Sequence, residues 1–129
     1  MEDVEVTWLV EQRFIYKARD ERSVEFIARL SNPQVWETDE SRHTAYRCRV
    51  GMHPLGEDRW VTSISGFTAL CSALDHIRTV LRFLVADGGR VYWENSEDLV
   101  DLDSPWFGPM PGPKELRLDV ASCLQPSQA

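Results

Sequence analysis

The sequence predicts an α+β fold: an antiparallel sheet of about five strands with one long amphipathic helix packed on one face. Residues 67–84 carry large apolar side chains at spacings of three and four, which places them in one stripe about 100° wide on a helix. The stripe consists of Phe67, Leu70, Leu74, Ile77, Leu81 and Leu84. Most of the chain before it alternates apolar and polar residues with period two, as strands do. Four strands, a helix and a further strand favour a sheet whose apolar face the helix covers.

The first two strands are predicted at residues 4–16 and 24–30, where the even positions are mostly apolar and the odd positions mostly polar. A charged turn at residues 17–22 joins them, so the two segments predict a hairpin. Asn32 and Pro33 end the second strand. Residues 37–43 (ETDESRH) are polar and predict a loop.

The third and fourth strands are predicted at residues 44–52 and at about 59–64, on either side of a turn that contains Pro54 and Gly56. Within the third strand the parity assigns Cys48 to one face, together with its apolar neighbours two residues away. Arg47 and Arg49 therefore point to the other face.

Helix and strand boundaries follow from capping residues. Ser65 is a natural N-cap, because its hydroxyl accepts a free backbone N–H of the first turn. Gly88 and Gly89 end the helix, and residues 90–93 (RVYW) predict a fifth strand. The segment 105–113 is rich in proline and glycine, whereas residues 115–120 alternate and predict an added edge strand. We expect one domain over residues 1–124 and a frayed tail at 125–129.

Composition narrows the functional class. A chain of 129 residues is about one domain, and no apolar run approaches the ~18 residues of a membrane span. The first residues lack the basic and apolar regions of a signal peptide, which predicts a cytoplasmic protein. The net charge of −7 opposes binding to nucleic acid and to anionic membranes.

The three cysteines do not suggest disulfides. An odd number of cysteines without a close pair is a poor disulfide framework. We expect Cys48 and Cys71 to be buried, inert thiols, and Cys123, which lies in a polar tail, to be exposed.

Between residues 46 and 105 an aromatic-x-Cys strand is followed by a second strand, a glycine, a helix of the type ALxxALxxIRxxL, a strand ending in Trp and a short acidic segment. The matching residues are Tyr46, Arg47, Cys48, Gly66, Ala69, Leu70, Ala73, Leu74, Ile77, Arg78, Leu81, Val91, Tyr92, Trp93, Glu97, Asp98 and Leu99. This arrangement resembles a family of small uncharacterised bacterial proteins. The resemblance implies a shared fold, because these are mostly core and turn positions, and it implies no established activity.

Catalytic and metal-binding patterns are weak. His43, Cys48 and His53 are spaced by five, but positions 43 and 48 of a strand point to opposite faces, and no CxxC, HxxxH or HExxH motif is present. Asp75 and His76 are helix neighbours, which point about 100° apart. The sequence therefore predicts no catalytic residue, no metal site and no required cofactor.

One cluster of residues, by contrast, has a composition that suggests a binding surface. Residues 94–103, called here the acidic segment, hold five acids and no base. With the two aromatic residues that follow, they form the predicted partner-binding set: Glu94, Glu97, Asp98, Asp101, Asp103, Trp106 and Phe107. Acids facing a basic protein steer association, and exposed aromatic rings anchor interfaces. The competing interpretations are a solvated loop and aromatic rings that fold back onto the core.

These observations favour a non-enzymatic protein-interaction module. The specific hypothesis is an immunity or inhibitor protein that neutralises a cognate basic toxin or enzyme; the toxin link is an analogy. The alternative is a small-molecule-binding domain or weak enzyme with a cleft between sheet and helix. A third possibility, a structural subunit, predicts a large apolar dimer face.

Overall fold

The computed structural model describes residues 6–38, 40, 43–104, 107 and 119–124. The elements run in the order β1 (Trp8–Lys17), β2 (Ser23–Ser31), β3 (Gln34–Thr38), β4 (Thr44–His53), β5 (Glu57–Ser63), α1 (Gly66–Ala86), β6 (Arg90–Trp93) and the single turn α2 (Val120–Cys123). The predicted start of the first strand, residues 4 and 5, and most of the predicted edge strand at 115–120 lie outside the described residues, as does the tail at 125–129. None of the described helices is both long enough and apolar enough to span a bilayer.

The sheet is antiparallel and curls into a half-barrel, with α1 packed against it, which confirms the predicted α+β class. Its strands lie in the order β6–β1–β2–β4–β5. The long strand β4 pairs with β3 through residues 44–47 and with β2 through residues 50–53, while β5 pairs with β4 over residues 46–52. Consecutive strands β2 and β3 thus together line much of one side of β4, with a break at residues 32 and 33.

Strand β3 corrects one prediction, because residues 37 and 38 belong to a strand and not to a loop. Strand β2 ends before Asn32 and Pro33, as predicted, but the chain resumes pairing with β4 at Gln34. Most of β3 is exposed on both faces, so it lacks the apolar alternation by which a half-buried strand is recognised.

The core lies between the sheet and α1. Phe26, at the centre of β2, is fully buried and stacks on Phe14 with ring centroids 5.4 Å apart. Phe14 in turn lies 5.2 Å from the ring of Trp93 in β6. The buried apolar residues are Phe14, Phe26, Ala28, Leu30, Cys48, Val50, Met52, Ala69, Ala73, Ile77, Leu81, Val91 and Phe107.

Helix α1 meets the core through a narrower face than its apolar stripe predicted. Ala69 and Ala73 are fully buried, whereas Phe67 is 78% and Leu74 38% exposed. The prediction that Phe67 and Leu74 pack in the core is therefore wrong. Small alanine side chains allow a helix to approach a sheet closely. The hydrophobic spacing alone does not reveal which of two adjacent apolar rows makes that approach.

The ends of α1 follow the capping prediction. The Ser65 hydroxyl accepts the backbone N–H of Thr68 at 3.1 Å, and the Thr68 hydroxyl accepts the backbone N–H of Ser65 in return. At the other end Gly88 has a φ of 95°, a conformation that glycine adopts without strain. At Gly89 a β-carbon would lie 2.1 Å from the Tyr16 ring, so this position requires glycine for close packing.

The cysteines divide differently from the prediction. Cys48 is buried and its Sγ donates to the Ser31 carbonyl at 3.0 Å; burial raises the pKa of this thiol. Cys123 is exposed, as expected, but Cys71 is exposed as well. The buried face of α1 runs through Ala69 and Ala73, and Cys71 is separated from each by about 200° around the helix.

Candidate functional site

The acidic segment folds back along the outer edge of β6. The Trp93 N–H donates to the Asp98 carbonyl at 3.1 Å, and the Val100 N–H donates to the Val91 carbonyl at 2.9 Å. Leu99 forms an isolated antiparallel bridge with Tyr92. The outer edge of β6 is therefore covered by the chain that follows it.

All five acids of this segment are exposed, but the contacts of three of them point to two sides of the sheet edge. Glu97 lines a shallow depression with Lys17 on the side away from α1, and Glu94 lies near Arg13 on the same side, where it contributes to raising the pKa of that guanidinium after the larger effect of Glu25. Asp103 lies 3.7 Å from Arg82 of α1. The segment is thus acidic on both sides of the β6 edge.

The sequence offers Phe107 as an exposed aromatic anchor, but in the structure this residue is only 7% exposed. Its ring packs into the core cluster and lies under the Arg78 guanidinium, 4.4 Å from the ring centroid. The same guanidinium donates from Nη1 to the carbonyls of Leu102 (2.6 Å) and Ser104 (2.8 Å). Phe107 and Arg78 therefore fasten the end of the acidic segment to α1. Trp106, the other predicted anchor, lies outside the described residues.

Replacing Arg78 by alanine is expected to loosen this attachment. Two carbonyls lose a charged donor, and Phe107 loses its covering guanidinium. A hydrogen bond to a charged group contributes about 1.5–3 kcal/mol to stability. The Asp101 N–H, which donates to the Phe107 carbonyl at 2.9 Å, should exchange with deuterium faster. Arg82→Ala is the control, since Arg82 is more exposed and makes one longer bond to Leu102, 3.1 Å. Equal exchange rates at Asp101 in both variants would contradict the assignment.

A second candidate surface lies on the sheet face that α1 leaves uncovered. It is called here the Trp–Arg face, and it comprises Trp8, Arg29, Trp36, Arg47, Arg49 and Trp60. Register places these residues together: Arg49 pairs with Trp60 across β4 and β5, and Arg29 pairs with Gly51 across β2 and β4. Arg29, Arg47 and Arg49 alternate with the core residues of β2 and β4 and therefore point away from the core; Trp60 pairs with Arg49 and shares its face. The register shift after Trp8 turns this side chain to the same face, and the contact with Arg47 places Trp36 there as well.

Guanidinium groups stack on indole rings across this face. Arg47 lies 4.0 Å from the ring centroid of Trp60 and 5.9 Å from that of Trp36. Arg29 lies 4.4 Å from the Trp8 ring, and a β-carbon at Gly51 would be 3.7 Å from that ring. These contacts hold large side chains flat against the sheet while leaving them half-buried; Trp36 is 50% exposed.

The arginines of this face differ in their charge partners. Arg49 donates two hydrogen bonds to Asp58, at 2.8 and 2.7 Å, and these bonds hold the pKa of Asp58 below its ordinary value. Arg29 lies 3.7 Å from Glu11. Arg47 donates to the neutral side chain of Gln34 at 3.2 Å, and among the described residues it has no ion pair. Arg47 thus combines an uncompensated charge with two aromatic contacts.

Depressions adjoin these strands on both faces of the sheet. An open basin of about 430 Å³ on the uncovered face includes Trp8, Arg29, Arg49 and Asp58 in its lining. On the opposite face, a smaller cavity of about 180 Å³ opens between β1 and α1. This cavity is called here the edge groove, and its lining is Val10, Gln12, Phe14, Ala28, Leu30, Leu74, Ile77, Trp93 and Phe107.

The histidine and cysteine residues that the sequence offers as catalytic or metal-binding candidates do not lie together in one site. Cys48 is buried, while His43 and His53 are exposed near opposite ends of β4. His76 instead reaches across to β5, where its Nε2 lies 2.7 Å from Glu57 Oε1. This contact, followed by the charge of Arg59, lowers the pKa of Glu57 below its ordinary value. Glu57 thus forms an ion pair with Arg59 within β5 and a partly buried hydrogen bond with His76, and the hydrogen bond ties α1 to β5.

No protein-family model, curated protein or solved structure matches the chain. Conclusions about function therefore rest on the surfaces described above.

The sequence contains a signal for the Trp–Arg face that composition does not show. Arg47 and Arg49 alternate with core residues in β4, and Trp60 lies on the same face of the paired strand, directly opposite Arg49. What the sequence leaves out is the strand register, which brings Trp8 and Trp36 to the same side. A polar face of a strand is ordinarily solvated, so only the cross-strand stacking distinguishes this one.

Proposed function

We propose that this protein is a non-enzymatic protein-interaction module and that the Trp–Arg face is its principal binding surface. The observation that carries the proposal is the Arg47 guanidinium stacked on Trp60 and Trp36 on the sheet face opposite α1. Tryptophan and arginine are enriched among the interface residues that dominate binding energy. Three of the five tryptophans of the chain lie on this one face.

The chemistry of the face indicates what a partner presents to it. Arg47 has no carboxylate partner among the described residues, so it fits a carboxylate or a carbonyl group of the partner. The flat indole rings of Trp36 and Trp60 fit apolar side chains or peptide planes. Because these side chains are already packed on one another, binding immobilises few new rotamers, and a preorganised surface loses less entropy on association.

The acidic segment would serve as a flank of this interface. Glu94 and Glu97 lie on the side away from α1, the side that also carries the Trp–Arg face. They would steer a partner that carries a basic region beside its main contact. An inhibitor or immunity protein that neutralises a cognate toxin or enzyme in the cytoplasm is the specific form that we retain as a hypothesis.

A second candidate function is the binding of a small apolar molecule, the class expected for a cleft between sheet and helix. The edge groove favours it, since Gln12 is the one polar residue among the described residues of its lining. Binding there would exclude water from apolar side chains. An apolar probe that binds with a stoichiometry of one, and fails to bind after Leu74→Lys, would support this candidate.

The proposed binding surface is tested by comparing the proteins that co-purify with wild-type protein and with two variants, Arg47→Ala and Trp60→Ala. Both variants should lower the affinity for a captured partner by about tenfold or more, as hot-spot truncations do. Phe83→Ala is the matched control, because Phe83 is a 78% exposed aromatic residue on α1. Thermal melting verifies that each variant is folded. Equal affinities for wild type and all three variants would contradict the proposal.

A further inference from the structure

Strand β1 is paired along only part of its outer edge. Strand β6 covers it from Phe14 to Lys17, and among the described residues no strand lies beside residues 8–13 on the side away from β2. A register irregularity between Trp8 and Val10 interrupts the first part of this stretch. Residues 10–13 therefore form a regular strand edge that continues the line of the β1–β6 pairing.

This edge is only partly protected against pairing with another strand, because Glu11 and Arg13 are charged whereas Val10 and Gln12 are not. Natural edge strands are blunted by charges, prolines or bulges, because their free N–H and C=O groups are a template for pairing. Here the bulge lies at one end, and two apolar residues beside it, Leu9 and Val10, are 52% and 49% exposed. The exposure of Val10 is at the mouth of the edge groove, which it lines.

The edge groove provides a pocket directly under this edge. Val10 and Leu74 lie at its mouth and are exposed, whereas Phe14, Ala28 and Ile77 in its lining are buried. Its volume of about 180 Å³ is slightly larger than the apolar cavity of about 150 Å³ that accepts benzene. It therefore has room for one aromatic or large aliphatic side chain.

The other side of the same edge is acidic. Glu11, Glu25 and Glu94 all act on Arg13, the cation that belongs to this edge. Arg13 is paired with Glu25 at 2.8 Å, and Glu11 lies at 3.7 Å from Arg29. These three carboxylates exceed the two positive charges of Arg13 and Arg29 by one, so a Lys or Arg side chain in this position would be complemented.

We propose that residues 10–13 of β1 bind an extended segment of a partner protein as an added strand. Side chains of a strand alternate between its faces, so the segment would insert an aromatic or large aliphatic residue into the edge groove. Its neighbours would then place lysine or arginine toward Glu11 and Glu94. Main-chain hydrogen bonds supply affinity in this mode of recognition, and the pocket supplies specificity. The inference is independent of the Trp–Arg face.

Selection of a random heptapeptide display library on the immobilised full-length protein tests the proposal. The expected peptides alternate an aromatic or large aliphatic residue with lysine or arginine. A synthetic peptide of the selected sequence should slow amide exchange within residues 10–13, because added-strand pairing protects amides that the groove alone would leave free. Failure to enrich such peptides, or binding without protection of these amides, would overturn the proposal.

A charge at the mouth of the groove provides the variant test. Val10→Lys should weaken the selected peptide by about tenfold or more, since it places an ammonium group where an apolar side chain must enter. Val35→Lys is the control: Val35 is also an exposed valine on a strand, 58% exposed, and lies outside the groove lining. Equal weakening by both variants, or by neither, would overturn the assignment. If toluene bound and its binding was weakened by Val10→Lys but not by Val35→Lys, while no peptide bound, the added-strand proposal would be overturned. The groove would then be only an apolar pocket.

Discussion

Replacing Phe26 by alanine is expected to lower the free energy of unfolding by about 3–5 kcal/mol, the range for truncating a buried phenylalanine. Phe26 is fully buried and stacks on Phe14, which in turn contacts Trp93. The truncation therefore removes the middle layer of packing between β2 and β1 and leaves a cavity that these rings cannot fill. Urea denaturation followed by tryptophan fluorescence measures the change.

Val24→Ala is the control for Phe26. Val24 belongs to the same strand but is 40% exposed, so its truncation should cost well below 1.5 kcal/mol. Similar losses in the two variants would show that β2 does not place Phe26 in the core as described.

Replacing Leu81 by alanine is expected to cost about 2–5 kcal/mol. Leu81 is fully buried on the face of α1 that meets the sheet. Leu74→Ala provides the comparison, because Leu74 is apolar and belongs to the same helix but is 38% exposed. Its loss should be clearly smaller, in contrast to the equal burial that the apolar stripe predicts. A larger loss for Leu74→Ala, measured by the same denaturation, would contradict the observed rotation of the helix.

The architecture could be predicted because local patterns carry it. Alternation identified β1, β2, β4 and β5, and Ser65 and Gly88 delimited α1. Two features depended on long-range packing and could not be read locally. Strand β3 is exposed on both faces and has no periodic signal, and the close approach of α1 uses Ala69 and Ala73, which are small rather than strongly apolar.

The candidate surfaces were less accessible to sequence reasoning. The acids of residues 94–103 lie close together in sequence, but the hairpin-like return along β6 directs Glu97 and Asp103 to different sides. Phe107 looks like an exposed anchor in a proline-rich segment, and its burial depends on contacts with the core cluster and with Arg78 that are distant in sequence. The Trp–Arg face shows the opposite case, because Trp8, Trp36 and Trp60 are far apart in sequence and come together only through strand register.

The most direct measurement of the central claim is position-resolved photocrosslinking in a lysate of the native host. The photoreactive residue benzoylphenylalanine is placed at Thr62, which pairs with Arg47 on the exposed sheet face, or at Ser72, an exposed position on α1. We expect the photoreactive residue at position 62 to form a discrete adduct with one protein. This adduct should be lost when the same chain also carries Arg47→Ala, and position 72 should give no such adduct. An adduct from position 72 alone, or one from position 62 that is unaffected by Arg47→Ala, would contradict the assignment of the Trp–Arg face as the binding surface.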